Sequence, residues 1–330
     1  MIISKTPLRI SFAGGGTDFP SFYQKNEYGA VLSTCVDSYI YVSIKEHTSL
    51  FDEKIRLNYS ETELVNNIEH IKNAIIRECL KFLKIDERLY ISTIGDAPSM
   101  SGLGSSSAFC VGLLNALYKY KGIAVSPGRL AEEAAYIEID VLKRPIGKQD
   151  HYAAAFGGLN YFVFYADNTV AVKSVSVADH IVSSISGSML SFWTRATRPA
   201  ESILLEQNHN TERNRDLLVL MREQAIDLFD LLYRNDFTAE KFAKIIHEGW
   251  MMKRQLASNV SNSVLDEYYD TAVKNGAWGG KISGAGGGGF LNIFANQIAQ
   301  KKIINALKKI NVLDYKFSFE ARGTSVIKFD

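Results

Sequence analysis

The chain has 330 residues, 46% of them hydrophobic and 22% charged, enough for a two-lobed globular protein with a sizeable core. Lys+Arg total 37 against Asp+Glu 36, a balance that argues against a dedicated binder of nucleic acid or of an anionic membrane. The three cysteines (Cys35, Cys79 and Cys110) are isolated, and no Cys/His cluster or His-Glu-x-x-His run offers a zinc site. The amino terminus lacks the apolar stretch of a signal peptide, and no run of about 18 apolar residues follows. The expectation is a cytoplasmic protein with neither nucleic acid nor membrane as partner.

In chain order, Leu8–Phe12 and Ser38–Ile44 predict strands, residues 62–83 a helix, and Leu89–Ile94 a buried strand. A Gly/Ser loop at 99–107 leads into a helix over Ala108–Tyr120. Pro127 opens another that runs to about Leu142. Tyr161–Tyr165 is a strong strand. The second half predicts helices over Ala200–Tyr233, Ala239–Ala257 and Val264–Lys274, the last closed by Asn275-Gly276. A glycine run, a strand over Gly289–Phe294, a helix over Gln297–Lys309 and two short strands complete the chain. The order implies an α+β protein in which an antiparallel sheet is backed by helices. The lobes divide into residues 1–175 and 176–330.

Three glycine-rich strings carry chemistry. The middle one is Pro98-Ser-Met-Ser-Gly102-Leu103-Gly104-Ser105-Ser106-Ser107-Ala108, where a strand gives way to a helix. The first amides of a helix have no internal partners and sit at the positive end of its dipole, so such a loop is either an anion site or a capped surface turn. It is neither a Walker loop nor a dinucleotide fingerprint. A wheel drawn from Leu130 gathers apolar residues 130, 131, 134, 135, 137, 141 and 142 on one arc, with Glu138 in its middle. A carboxylate there is either paired with a basic residue or bound to a metal. Twelve residues on, Asp150 lies in Gly147-Lys-Gln-Asp-His151, as a helix-start aspartate or as a catalytic one.

The middle string resembles the ATP loop of the GHMP small-molecule kinases. Two further strings, in the right order, resemble that family's other motifs: Pro7-Leu-Arg9-Ile-Ser-Phe-Ala-Gly-Gly15-Gly16-Thr17-Asp18-Phe-Pro20 and Lys281-Ile-Ser-Gly284-Ala285-Gly286-Gly-Gly-Gly289. The resemblance implies the two-lobed GHMP kinase fold, with a first lobe like ribosomal protein S5 and a helix-rich, ferredoxin-like second lobe. It implies an ATP- and Mg²⁺-dependent kinase of a small sugar-like molecule. Gly102, Leu103, Gly104, Ser105, Ser106 and Ser107 would bind ATP, and Ser106 and Glu138 would hold the metal. Asp150 would take the acceptor proton, with Arg9 beside it to stabilise negative charge. Gly15, Gly16, Thr17, Asp18, Gly284, Ala285 and Gly286 would shape the substrate end.

Within the family, Gly-Gly-Gly-Thr-Asp-Phe-Pro resembles the branch that phosphorylates C1 of D-glycero-D-manno-heptose 7-phosphate, and also the kinase domain of bifunctional fucokinases. A 1,7-bisphosphate formed by the first would feed GDP-heptose and surface polysaccharide. A 7-phosphate needs basic residues, and Thr194-Arg195-Ala-Thr-Arg198 supplies them before the predicted helix at 200, with Arg198 at the family's arginine position. The alternatives are two exposed loop arginines and a free monosaccharide such as L-fucose. A non-catalytic sugar and nucleotide sensor is a further alternative, although Arg9, Ser106, Glu138 and Asp150 are all present.

Overall fold

A computed structural model describes residues 1–196 and 200–329. In chain order the strands are β1 (Ile2–Ala13), β2 (Tyr28–Glu46), β3 (Ile55–Asn58), β4 (Thr62–Val65), β5 (Leu89–Gly95), β6 (Leu159–Tyr165) and β7 (Val170–Ser174). There follow β8 (Met189–Trp193), β9 (Gly279–Ile282), β10 (Phe290–Phe294), β11 (Leu313–Tyr315), β12 (Phe319–Glu320) and β13 (Ser325–Lys328). Among the described residues they form two sheets, one of nine strands and one of four.

The 19-residue β2 is the spine of the larger sheet. Its second half pairs with β5, its first half with β6, and its middle, from Leu32 to Ile44, lies antiparallel to β1. Residues 29–36 are buried on both faces, so Gly-Ala-Val-Leu-Ser-Thr-Cys-Val shows no alternation. That is why the pattern at Ser38–Ile44 marks only the later part of the strand. The helix Ser105–Tyr120 packs against β1 and β2 and is buried on most sides. The smaller sheet runs β11-β8-β10-β9 with every pair antiparallel. It has its own core around Phe192, Trp250, Tyr269 and Leu291. The α+β expectation holds.

Local differences from the sequence reading have local causes. Residues 62–83 do not form one helix. Asn67 and Asn73 each accept a hydrogen bond from a following backbone amide and so restart the chain twice. Strand β4, a short turn at Ile68–His70 and a helix over Ala74–Phe82 result. The long helix predicted from Ala200 is two, Ala200–His209 and Arg215–Leu231. Thr211 turns its hydroxyl back to the Gln207 carbonyl at the break. Elements β7, Asp179–Ser188 and β8 carry too short a periodic signal to be read. No helix among the described residues is long and apolar enough to cross a membrane.

The last strands return to the first sheet, β12 on β2 and β13 on β1. The tail passes beneath the helix Gln149–Phe156, where the Thr324 amide donates to the Ala154 carbonyl at 2.9 Å. Gly157 ends that helix at φ 69°, and a Cβ there would fall 2.1 Å from the Arg322 carbonyl carbon. Replacing Gly157 with alanine therefore adds both backbone strain and a clash. Urea denaturation of Gly157→Ala should show a loss of ~2 kcal/mol or more. A loss under ~0.5 kcal/mol, the ordinary range for a surface change, would refute this close packing.

Candidate active site

One cavity of about 320 Å³ collects residues from all three glycine-rich strings. Gly104, in the left-handed region at φ 76°, precedes the helix Ser105–Tyr120, so Ser105, Ser106 and Ser107 form its first turn. Gly102, Gly104 and these serines line the cavity, with the unpaired amides of a 16-residue helix behind them. Leu103 is buried in the core, and its carbonyl accepts from the Arg9 amide at 3.0 Å. The third string packs onto this loop from the second lobe. A Cβ on Gly284 would lie 2.7 Å from the Gly102 Cα, and one on Gly102 would lie 2.6 Å from the Ser283 carbonyl oxygen. Both residues also need positive φ, so the two backbones meet at a spacing that only glycine permits.

Arg9, near the end of the long β1, points into this junction and is 5% exposed. Its Nε and Nη2 donate to the two oxygens of Asp150, both at 2.7 Å, and Nη1 donates to the Gly102 carbonyl at 2.5 Å. The fork is the bidentate arrangement that fixes a carboxylate in one plane. Asp150 keeps 22% side-chain exposure and faces the cavity. It lies in the first turn of Gln149–Phe156, as the helix-start reading also required.

Glu138 is fully buried in a π-helical turn, Tyr136–Val141, that continues the helix Pro127–Ala135. Such turns recur at functional sites because the widened register re-aims side chains. Ser106 Oγ donates to Glu138 Oε1 at 2.8 Å, and Arg144 Nη1 lies 2.6 Å from both atoms. His151 Nε2 meets Oε2 at 2.8 Å, and an ionised carboxylate can only accept, so Nε2 carries the proton. Burial by itself would raise the Glu138 pKa. The hydrogen bond and charge of His151, the Arg144 charge and the Ser106 hydrogen bond outweigh it and hold the group at about 2. Glu138 therefore has the basic partner expected of a buried acid while its carboxylate still lines the cavity.

The Asp18 carboxylate stands at the other end, buried beneath the first glycine string. It accepts from the Gly16 amide at 3.0 Å, from the Gln149 side chain at 2.9 Å and from the Gln149 amide at 3.1 Å. Burial pushes its pKa up against these donors. Gly15, Gly16, Gly284 and Ala285 line the cavity with it. Thr17 and Gly286 do not. The Thr17 hydroxyl donates to the Gly14 and Ala30 carbonyls inside the fold, and Gly286 packs on Val260. Arg198 lies outside the described residues.

Among the polar residues at the site to which sequence reasoning gave no role are Ser11, Arg144, Gln149, His151 and Lys253. Ser11 Oγ and Gln149 Oε1 are buried in the cavity wall without a hydrogen-bond partner among the described residues. Gln149 and His151 stood in the string around Asp150 and could have been read there. Lys253 belongs to no string, but the helix Ala239–Lys253 buries 239, 242, 243, 246, 250 and 253, so it falls on the apolar stripe as Glu138 does.

Residues 58–158 match the family model of the GHMP kinases N terminal domain, and residues 228–312 that of the GHMP kinases C terminal domain. The chain is 32% identical to a D-glycero-alpha-D-manno-heptose 7-phosphate kinase of Campylobacter jejuni, over 98% of this chain and 97% of that one. It is 23% identical to an L-fucokinase/L-fucose-1-P guanylyltransferase of Bacteroides fragilis, over 89% of this chain but 34% of that protein. The crystal structure of a D-glycero-D-manno-heptose 1-phosphate kinase from Bacteroides thetaiotaomicron superposes over the full length of both chains, with a TM-score of 0.82 at 26% identity. Glycine strings that converge on one cavity, a phosphate-ready helix start and matches over nearly the whole length lead to one assignment: this chain belongs to the GHMP kinase family, which transfers phosphate from ATP.

Proposed function

We propose that the protein transfers the γ-phosphoryl group of ATP to the anomeric 1-hydroxyl of D-glycero-D-manno-heptose 7-phosphate, giving the 1,7-bisphosphate. The observation that carries this reading is one cavity joining the Gly102–Ser107 loop, the Arg9–Asp150 pair and the buried Asp18. The near full-length similarity to the Campylobacter enzyme selects the sugar. The reading divides the chain into lobes 1–175 and 176–330, apart from the returning terminal strands. It also places the protein in the cytoplasm, where ATP is abundant.

The substrate hydroxyl attacks the γ-phosphorus. A new O–P bond forms as the bond from γ-phosphorus to its bridging oxygen breaks, and ADP departs. The hydroxyl proton passes to Asp150, whose carboxylate has lone pairs left after both oxygens accept from Arg9. Arg9 keeps that carboxylate in one orientation, and its charge offsets the negative charge that builds up nearby. Asp18, Ser11 and Gln149 bind the sugar hydroxyls: Asp18 as acceptor, and the unpaired Ser11 Oγ and Gln149 Oε1 as groups that a ligand would satisfy. Ser106 and Glu138 are hard oxygen donors facing the cavity and suit Mg²⁺, with the remaining ligands coming from phosphate and water. When bound, the ion neutralises phosphate charge. Arg144, whose Nη1 reaches both the Ser106 and the Glu138 oxygens, lines the same cavity and would be a donor to phosphate oxygens there. Arg198 holds the 7-phosphate.

Coupled assay of ADP release against a panel of sugars and sugar phosphates tests the assignment. Turnover with the heptose 7-phosphate and none with unphosphorylated sugars is expected; preference for L-fucose or another free monosaccharide would overturn it, and silence throughout would favour a sensor. Asp150→Asn should keep ATP affinity within about threefold and lose kcat by about 10³-fold or more, as expected on removing a proton acceptor and its oriented charge. A near-normal kcat would remove Asp150 from the role. Arg198→Ala should raise KM for the sugar phosphate by about tenfold or more, since a charge-assisted contact is lost, with KM for ATP little changed. An unchanged sugar-phosphate KM would sink the phosphate assignment.

A further inference from the structure

The helix Ala239–Lys253 begins with Thr238, whose hydroxyl accepts from the Lys241 amide, and buries Ala239, Phe242, Ala243, Ile246, Trp250 and Lys253 along one stripe. Five of these make core. The sixth carries an ammonium to the helix C-terminus, where the dipole favours a cation. Lys253 is 6% exposed and lines the same cavity as Arg9 and Asp150, although it comes from the other lobe.

Its surroundings are unusual for a buried amine. Nζ donates to the Gly284 carbonyl, and no carboxylate among the described residues forms an ion pair with it. The acids whose fields reach it, Asp18 and Asp150, are already held by Gly16 and Gln149 and by Arg9. Cationic neighbours oppose it: Arg9, and Lys281, itself buried with Nζ on the Phe12 carbonyl at 3.2 Å. An unpaired buried charge is costly unless something supplies the opposite sign. Here the open direction is the cavity. A Cβ on Gly15 would lie 3.8 Å from Nζ, so the amine sits where the first and third glycine strings face each other. One donor is taken by Gly284, which leaves two.

We propose that Lys253 is a catalytic residue of the phosphoryl transfer: its ammonium, supplied by the second lobe, binds a non-bridging oxygen of the transferring γ-phosphoryl group. The substrate oxygen–phosphorus bond forms and the bond to the bridging oxygen of ADP breaks while Lys253 keeps its proton, the hydroxyl proton going to Asp150. The proposal rests on the kinase reading but not on the identity of the sugar. It makes the site incomplete without the second lobe. Burial, with help from Arg9 and against Asp18 and Asp150, pulls the Lys253 pKa down to about 8.

The test uses the full chain and its Lys253→Met and Lys253→Arg variants. Three readouts are taken: sugar-dependent turnover, the slow ATP hydrolysis in which water is the acceptor, and the melting temperature. Lys253→Met should lose about 10²-fold in both reactions, the size seen when one charge-stabilising donor is removed. Its ATP affinity should hold within about threefold, and its melting temperature should match or exceed the wild type, because an unpaired buried charge has gone. Lys253→Arg should recover part of the rate. In wild type, kcat/KM should fall as pH rises through about 8 and the ammonium deprotonates. In Lys253→Arg that alkaline limb should move upward, whereas Arg9, Asp18, Asp150 and Lys281 face the amine unchanged in both. Normal turnover by Lys253→Met overturns the proposal. So does a loss of activity that follows a fall in melting temperature and that arginine does not repair. If the sugar is misassigned, only the first readout fails, and water hydrolysis still decides the role of Lys253.

Discussion

The guanidinium of Arg9 holds three parts of the molecule in one geometry. Its backbone belongs to β1, its fork grips Asp150 on a helix that lies far along the chain, and its third nitrogen donates to the Gly102 carbonyl in the loop before the helix Ser105–Tyr120. Because the guanidinium is planar and always charged, these bonds fix distance and orientation together. A lysine could supply the charge but not the two parallel contacts. The position of the carboxylate relative to the loop is thereby set within the first lobe.

The second lobe meets this assembly backbone to backbone. Gly102 and Gly284 approach more closely than any side chain would permit, and the Phe290 amide reaches the Ser101 carbonyl at 3.3 Å. Glycine thus serves two purposes here: it lets the two backbones meet, and at Gly104 it lets the chain enter the helix Ser105–Tyr120 with the first amides free of internal partners. The terminal strands β12 and β13, which run back to the first sheet, tether the lobes a second time.

Charge inside the site is arranged in opposed pairs that do not cancel. Glu138 keeps its ionised form against burial because His151, Arg144 and Ser106 all favour the anion. Lys253 has no carboxylate in an ion pair with it among the described residues, only the Gly284 carbonyl, and burial pulls its pKa downward. Both residues interrupt an otherwise apolar helical stripe, and in both the cost of burial is tolerated where the side chain borders the cavity. The acids Asp18, Glu138 and Asp150 thus share one cavity with Arg9, Arg144 and Lys253, a mixture of charges that a small polar ligand can meet from several sides.

Much of this was legible in the amino-acid sequence. The glycine strings, the intruding Glu138 and the spacing to Asp150 are local demands on backbone and helix face, so they leave local marks, and they were sufficient for the family and its fold. Residues whose roles arise from distant neighbours left marks of position but not of role. Thr17 lies within the first string yet turns into the fold, because the Gly14 and Ala30 carbonyls need a donor there. Gln149 gains its place from Asp18, 131 positions away. The chain by itself determined which loops could cradle phosphate and which acid was forced inward, since both follow from residue type and period. Only the folded molecule decided that Lys253, on a helix with no motif, would face Arg9 and Asp150, because that meeting depends on Phe242, Ala243 and Ile246 of its helix packing into one core with Leu8, Ile10 and Phe12 of β1.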